Sequence, residues 1–272
     1  MSLNGFVADR NDKSMLIAVT RAVSATFAEC ELTHRPRDPI NVANAIAEHA
    51  RYEEALRSLG ATVVRASPEP ALPDAVFVED TALALDEVAV ITRPGALTRR
   101  REVESMAQVL SAYKPLLRIQ PPGTLDGGDV LRVGRKLYVG LSSRSNHEGI
   151  SQLETLLEKW DYEVIRVQVE GCLHLKSAVT QVGEDLLLIN PNFVPPACFR
   201  STESIPVAPA EADGANALWI GRAGAIIYAA HHPETAERLE RAGVRVVAVP
   251  STELAKAEGG VTCCSVLFET VP

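Results

Sequence analysis

The chain has 272 residues, 46% hydrophobic and 23% charged, a balance that excludes disorder and allows one large core or two small ones. A net charge of −8 and an isoelectric point near 5.4 argue against nucleic acid as a partner and are compatible with a cationic small substrate. Five cysteines without C-x-x-C spacing suggest no disulfide framework and no zinc site; with neither a signal-peptide core nor a membrane-length apolar run, the expectation is a cytoplasmic protein that engages no membrane.

Residues 15–20 read as a buried strand, followed by a polar, proline-containing loop over residues 32–39. Val42, Ile46, His49, Ala50, Glu53, Leu56 and Leu59 recur at helical spacing, and Gly60 ends that helix. Residues 61–65 form the next strand, and Pro68, Pro70 and Pro73 a loop. Residues 75–78 read as a strand that delivers Glu79 and Asp80 at its end. Two carboxylates between apolar runs either cap a solvated strand or line a site. Residues 88–92 are a strand, and Pro94-Gly95 a turn. Arg99, Arg100 and Arg101 then open a helix running to about Tyr113. Cations there oppose the helix dipole, so either an anionic ligand or plain solvation accounts for them.

A strand over 116–119 leads to Asp126-Gly127-Gly128-Asp129, which is either a simple turn or a bend that aims a carboxylate into a cleft. Residues 130–133 and 136–140 read as a hairpin around Gly134-Arg135, and residues 142–146 as a loop and cap before a helix over 147–160. A strand covers 162–169. His174, between two leucines, has the setting of a packed core histidine. Strands at 178–181 and 186–190 precede an irregular stretch over 192–209 with four prolines. A hairpin joins 217–220 to 225–228, followed by a helix over 233–242, a strand over 244–249 and a short helix from Ser251 to about Ala257.

The last stretch, residues 258–269, carries the sharpest signal. Gly259 and Gly260 allow positive φ or close backbone approach. Cys263 and Cys264 open an apolar run that reads as a strand, so they face opposite ways. Either one is a nucleophile and the other a core filler, or both are buried structural thiols. Strands, helices and hairpins succeed one another about five times with a faint repeat and no long linker. Recurrent hairpins favour mixed sheets arranged in a circle around a central site, in one domain over residues 1–272. Asp74, Glu79, Asp80, Asp126, His174 and Cys263 stand at strand ends or glycine turns. A cysteine and a histidine with carboxylates equip covalent catalysis at an electron-poor carbon: amide hydrolysis, acyl transfer or substitution at a guanidinium carbon. The acidic excess favours the last.

Phe77-Val78-Glu79-Asp80, Ile91-Thr92-Arg93-Pro94-Gly95-Ala96, Thr124-Leu125-Asp126-Gly127-Gly128-Asp129-Val130, Val139-Gly140-Leu141-Ser142, Leu173-His174-Leu175-Lys176-Ser177 and Thr262-Cys263-Cys264-Ser265-Val266-Leu267 resemble the dimethylarginine dimethylaminohydrolase (dimethylargininase) family. That family belongs to the guanidine-modifying, or pentein, superfamily, and the resemblance runs from about residue 15 to 269. It implies an α/β fold, a five-bladed propeller of ββαβ units around a central active site. It implies Cys263 as nucleophile, with Cys264 on the other face, and His174 as general acid and base oriented by Asp126. Asp74 and Glu79 would hold a guanidinium with Asp80 close by, and Arg99 and Arg144 would hold the amino-acid end. Leu32 would contribute from the loop, and Ala257 and Glu258 through their backbones. The implied reaction converts asymmetric dimethylarginine or monomethylarginine to citrulline and a methylamine through a thiouronium on cysteine. It uses no metal or organic cofactor, and the protein could be a homodimer. Arginine deiminase and amidinotransferase, of the same superfamily, are the alternatives; Arg99 and Arg144 favour a substrate with a carboxylate. A non-catalytic binding module on this fold would lack Cys263 or His174, and both are present.

Overall fold

Among the described residues, 14–200 and 202–270 of this computed structural model, fifteen strands form five separate three-stranded sheets. The chain starts in β1 (Met15–Thr20) and crosses through helix α1 (Val42–Ser58) to β2 (Ala61–Arg65), which pairs with β1 in parallel. In the second sheet β3 (Ala82–Ala84) and β4 (Ala89–Ile91) are antiparallel, and α2 (Val103–Leu110) carries the chain to β5 (Leu116–Arg118), parallel to β4. The third sheet repeats this with β6 (Val130–Val133), β7 (Lys136–Leu141), α3 (His147–Leu157) and β8 (Glu163–Gln168). A single-turn helix, α4 (Leu175–Ala178), opens the fourth, made of β9 (Val179–Gly183), β10 (Leu186–Ile189) and β11 (Glu203–Pro206). The fifth contains β12 (Ala217–Ile220), β13 (Ala225–Ala229), α5 (Pro233–Arg241) and β14 (Arg245–Val249). After α6 (Thr252–Lys256), strand β15 (Val266–Thr270) pairs antiparallel with β1 and closes the circle.

A parallel neighbour demands a crossover, and four of the five units use an α-helix for it. The fourth crosses through a 3-10 turn, Pro196–Cys198, because the prolines of this stretch lack the N–H a helix interior needs. Its last strand, β11, falls within the stretch read from the sequence as irregular. It is a mostly exposed edge that ends on Pro206, a position where a strand tolerates proline.

The first strands of neighbouring sheets approach one another: β12 meets β9, β9 meets β6, and β3 meets β15. Five apolar clusters pack the sheets and their helices together. They are built around Tyr52, Leu56 and Ile227; Ile17, Ile91 and Met106; Val90, Leu137 and Leu153; Tyr138, Leu175 and Leu187; and Leu188, Ile226 and Leu239. Each such Leu or Ile taken from water contributes about 1.5–3 kcal/mol. With helices or neighbouring sheets on their faces, β10 and β13 are apolar in almost every position.

The site is prepared in the turns that lead into the first strand of each sheet. Residues 75–78 are not the expected strand; a 3-10 turn, Val78–Thr81, carries Glu79 and Asp80 into β3. A second, Gly127–Asp129, leads into β6, α4 leads from His174 into β9, and Asn216 precedes β12. Residues 261–264 are likewise a turn, with the strand delayed to β15. The expected helix over 99–113 is a 3-10 turn, Thr98–Arg101, followed by α2.

Candidate active site

His174 and Asp126 meet across two of these turns, with Nε2 of the imidazole 3.1 Å from Oδ2. The other oxygen of Asp126 accepts the backbone N–H of Gly95 at 2.8 Å, and its own N–H donates to Ser145 at 3.0 Å, so the carboxylate is fixed at both ends. Asp80 lies 3.9 Å from the same imidazole nitrogen. Burial alone would lower the pKa of His174, but Asp80, Asp126 and Asp129 outweigh it and hold the ring up to about 9. Asp80 is subject to the same opposition. Burial raises it, while His174, Arg99 and the N–H of Gly128 at 3.0 Å bring it down to about 2. Asp129 accepts Leu175 N–H at 2.9 Å and the hydroxyls of Ser142 and Ser145 at 2.6 Å each, anchoring α4 immediately after His174. Burial pushes Asp129 up to about 6.

The glycines between the two aspartates are required by crowding. A β-carbon on Gly127 would lie 2.0 Å from the carbonyl oxygen of Glu79, and one on Gly128 within 3 Å of Asp80 and the His174 ring. Gly95, in the Thr-Arg-Pro-Gly turn, packs in the same way on the backbone of Arg144. The second glycine pair divides its work differently from the sequence expectation. Gly259 and Gly260 are the close-approach residues, against the Phe77 ring and the Asn216 amide, and the positive φ (58°) belongs to Glu258.

Cys263 and Cys264 do face opposite ways. Cys264 is fully buried in an apolar cluster, whereas Cys263 is partly exposed and lines the cavity beside His174. Sγ of Cys263 accepts Gly260 N–H at 3.3 Å. Burial, with Glu79 and Asp80 close by, pushes its thiol up to about 12. The turn is pinned from three directions. Ser265 meets the hydroxyl of Tyr52 at 2.7 Å, Thr262 donates to Glu79 at 2.7 Å, and the carbonyl of Cys263 accepts Glu79 N–H at 3.1 Å.

The cavity holding Cys263 and His174 has a volume of about 20 Å³ and is also walled by Asp74, Asp80, Arg99, Arg144, Ala257 and Glu258. Asp74 is buried, which raises its carboxyl, and accepts Glu31 N–H with both oxygens. Arg99 directs its nitrogens to Asp80, to both oxygens of Glu102 and to the carbonyls of Asp74 and Phe77. Those acceptors account for an arginine placed ahead of α2. Arg144 spends one nitrogen on the Thr33 hydroxyl at 3.0 Å. Two residues fall elsewhere. Leu32 packs against the first apolar cluster, and Glu79 turns its carboxylate to Lys176 (2.6 Å) and Thr262, on the wall of a separate depression. A larger cavity of about 160 Å³ also reaches Cys263, past Cys172, Ser177, Asn216 and His231.

Asp80, Asp126 and His174 bring potential ligand atoms within 4.8 Å of one another. Arg99 against Asp80 and the His174–Asp126 bond already supply that cluster with positive charge, so a cation would compete with both. Asn216 escaped the sequence reading. Its side chain donates to the carbonyl of Lys176 and to Thr262 Oγ1, and accepts Thr262 N–H, each at 3.0 Å, joining the His174 turn to the Cys263 turn. Its one signal is position: it precedes β12 just as the other site residues precede their strands.

A family model described as N,N-dimethylarginine dimethylhydrolase, eukaryotic, matches residues 20–204. The N(G),N(G)-dimethylarginine dimethylaminohydrolase of Pseudomonas aeruginosa is 36% identical over 228 residues, 83% of this chain and 89% of the relative. The protein of the same name from Streptomyces coelicolor is 36% identical over 251 residues, 92% of this chain and 95% of the relative. A solved structure of the Pseudomonas aeruginosa enzyme, a cysteine-to-serine mutant complexed with citrulline, superposes with a TM-score of 0.89 at 33% identity and covers 93% of this chain and 100% of that one. The amino-terminal domain of ArgZ, described as an arginine dihydrolase, shares the fold at 20% identity and a TM-score of 0.82. The chain belongs to the dimethylarginine dimethylaminohydrolase family.

Proposed function

We propose that this protein hydrolyses N-omega-methylated arginine to citrulline and a methylamine through a covalent intermediate on Cys263. The observation that carries this reading is one cavity holding a thiol, a histidine kept protonated and buried carboxylates, with Arg144 at its edge. At rest both Cys263 and His174 carry their protons, since their pKa values of about 12 and about 9 lie above neutrality. A cationic guanidinium bound against Asp74 and Asp80 opposes the negative field that holds the thiol up. The sulfur then gives its proton to solvent through the larger cavity, because His174 is already charged.

The thiolate attacks the guanidinium carbon and forms a C–S bond. His174 donates its proton to the departing nitrogen, the C–N bond breaks, and neutral amine leaves behind a thiouronium. The now neutral His174 takes a proton from water. Hydroxide adds to the carbon, the C–S bond breaks, and citrulline is released as the protons return to Cys263 and His174. Asp126 keeps the imidazole oriented through both steps, and Asp80 raises its pKa. Arg144, with nitrogens to spare, takes the substrate carboxylate, aided by Arg99 on the same wall. Glu79 acts through its charge and through its hold on Thr262. Because turns from several sheets build one cavity, the ring supports a single catalytic domain.

The test is citrulline formation from asymmetric dimethylarginine, monomethylarginine and arginine in parallel. Turnover of the methylated compounds, reduced about 1,000-fold or more by Cys263→Ser, is expected. Arginine as the better substrate would sink the specificity, and an active Cys263→Ser would sink the nucleophile.

A further inference from the structure

We propose that Asn216 is a positioning residue that holds the Cys263 sulfur in register with His174. The proposal rests on the reaction described above and concerns how its two reacting groups are kept together. His174 and Cys263 stand on turns that lead into different sheets, the first into β9 through α4 and the second into β15. Asn216 belongs to neither turn. It precedes β12, the strand of a third sheet that meets β9.

The side-chain amide of Asn216 is fully engaged. Nδ2 donates to the Lys176 carbonyl and to Thr262 Oγ1, and Oδ1 accepts Thr262 N–H, each at 3.0 Å. Turned over, the amide would set its oxygen against the Lys176 carbonyl and its nitrogen against the Thr262 N–H, so these partners fix one orientation. The Lys176 carbonyl lies in α4, a helix of four residues, where carbonyls lack helical partners. Asn216 supplies one, two residues from His174. Thr262 Oγ1 gives its own proton to Glu79, which leaves it an acceptor for Asn216.

A third contact reaches the nucleophile. A β-carbon on Gly260 would lie 2.3 Å from Oδ1 of Asn216 and 2.4 Å from Cγ, so the Gly260 backbone rests directly on this amide. From that seat Gly260 N–H donates to Cys263 Sγ at 3.3 Å, and the Gly260 carbonyl accepts Cys263 N–H at 3.2 Å. A donor aimed at the sulfur favours the thiolate, the form that attacks. Burial, Glu79 and Asp80 all disfavour it, so the aim of this one donor counts. Asn216 thus acts on the sulfur through Gly260 and Thr262, and on the imidazole through α4. The small cavity holding both groups is walled by other residues, so substrate affinity should not depend on Asn216.

Alkylation of Cys263 by iodoacetamide, followed on its own peptide by mass spectrometry, reads the sulfur without turnover. At about pH 9, Asn216→Ala should slow it about fivefold or more, with Cys198 as the unchanged control. Gly260→Ala deletes no hydrogen bond but pushes on Asn216. It should slow alkylation likewise, and it carries the test if Asn216→Ala does not fold. With dimethylarginine, kcat should fall about 30-fold or more while KM changes by less than about twofold. The double variant should lose no more than about twofold beyond the worse single one, because one change vacates the space the other fills. Unchanged Cys263 alkylation in both single variants, equal slowing at Cys198, or a change in KM alone overturns the proposal. If Cys263 slows as expected but wild type forms no citrulline from any arginine, Asn216 still positions the sulfur and the hydrolase reading falls.

Discussion

In the proposed reaction both chemical steps turn on His174, whose pKa burial would lower but nearby carboxylates hold up. Since its folded value, about 9, exceeds the ordinary 6.5, its contribution to stability is complete below about pH 6.5 and is lost as pH rises through about 9. Asp80, depressed to about 2 from 3.8, contributes above pH 3.8 and loses that contribution as pH falls toward 2. Asp126→Asn removes one of the charges that favour imidazolium. His174, followed by NMR, should then titrate roughly one unit lower, the alkaline limb of kcat/KM should move down with it, and kcat should fall about 100-fold. An unchanged titration would remove Asp126 from the role of orienting base. Cys263 after two glycines and Asp126 before Gly-Gly stood out in the sequence against their surroundings, whereas His174 between leucines has the setting of a packed core histidine and took its expected role from the family resemblance. Asn216 did not stand out. An amide before a hairpin is ordinary in sequence, and only the folded turns show what it touches.

At the scale of elements, capping and glycine geometry explain why the turns are reproducible. Asn41 and Asn146 accept N–H groups three residues on, Asn44 at 3.1 Å and Gly149 at 2.8 Å, which fixes the starts of α1 and α3 as the sequence suggested for the latter. Elements whose identity depends on a distant partner were less legible. The 3-10 turns around Glu79 and Asp129, and β11, which is a strand by virtue of its pairing with β10, carry no periodicity of their own. The two glycines of the Gly127–Asp129 turn separate packing from chemistry. A β-carbon at Gly127 meets a backbone carbonyl, which cannot swing aside, so Gly127→Ala should cost about 1–3 kcal/mol or more in denaturant melts. At Gly128 it meets Oδ1 of Asp80 and the His174 ring, side-chain rather than backbone atoms. Gly128→Ala should therefore retain more stability than Gly127→Ala yet lose activity at least about 100-fold through displaced catalytic groups. The reverse ranking in stability would show that the turn is set by something other than these contacts.

Across the described residues, four sheets join their first and second strands by local connections, while the fifth such pair, β15 with β1, is made by the two ends of the described chain. Met15 pairs with Thr270, so the ends of the described chain are neighbours in space. In this pseudo-symmetric ring the break between β15 and β1 is topologically equivalent to a break at the Gly134-Arg135 hairpin between β6 and β7, where a β-carbon on Gly134 would meet nothing within 4 Å. Fusing Pro272 to Met1 and opening the chain between residues 134 and 135 moves the break from one sheet to another and leaves every strand its partners. The permuted protein should melt within about 5 °C of the parent, a shift equivalent to about 1–2 kcal/mol in a chain this long, and should form citrulline at a comparable rate. Deleting residues 266–272 instead removes β15, strips β1 of its antiparallel partner and takes Val266 and Phe268 out of the cluster around Ile17 and Met106. That chain should show no cooperative melt. If the permutant unfolds while the truncated chain melts normally, the closure of the ring by β1 and β15 is not what holds the five sheets around their common site.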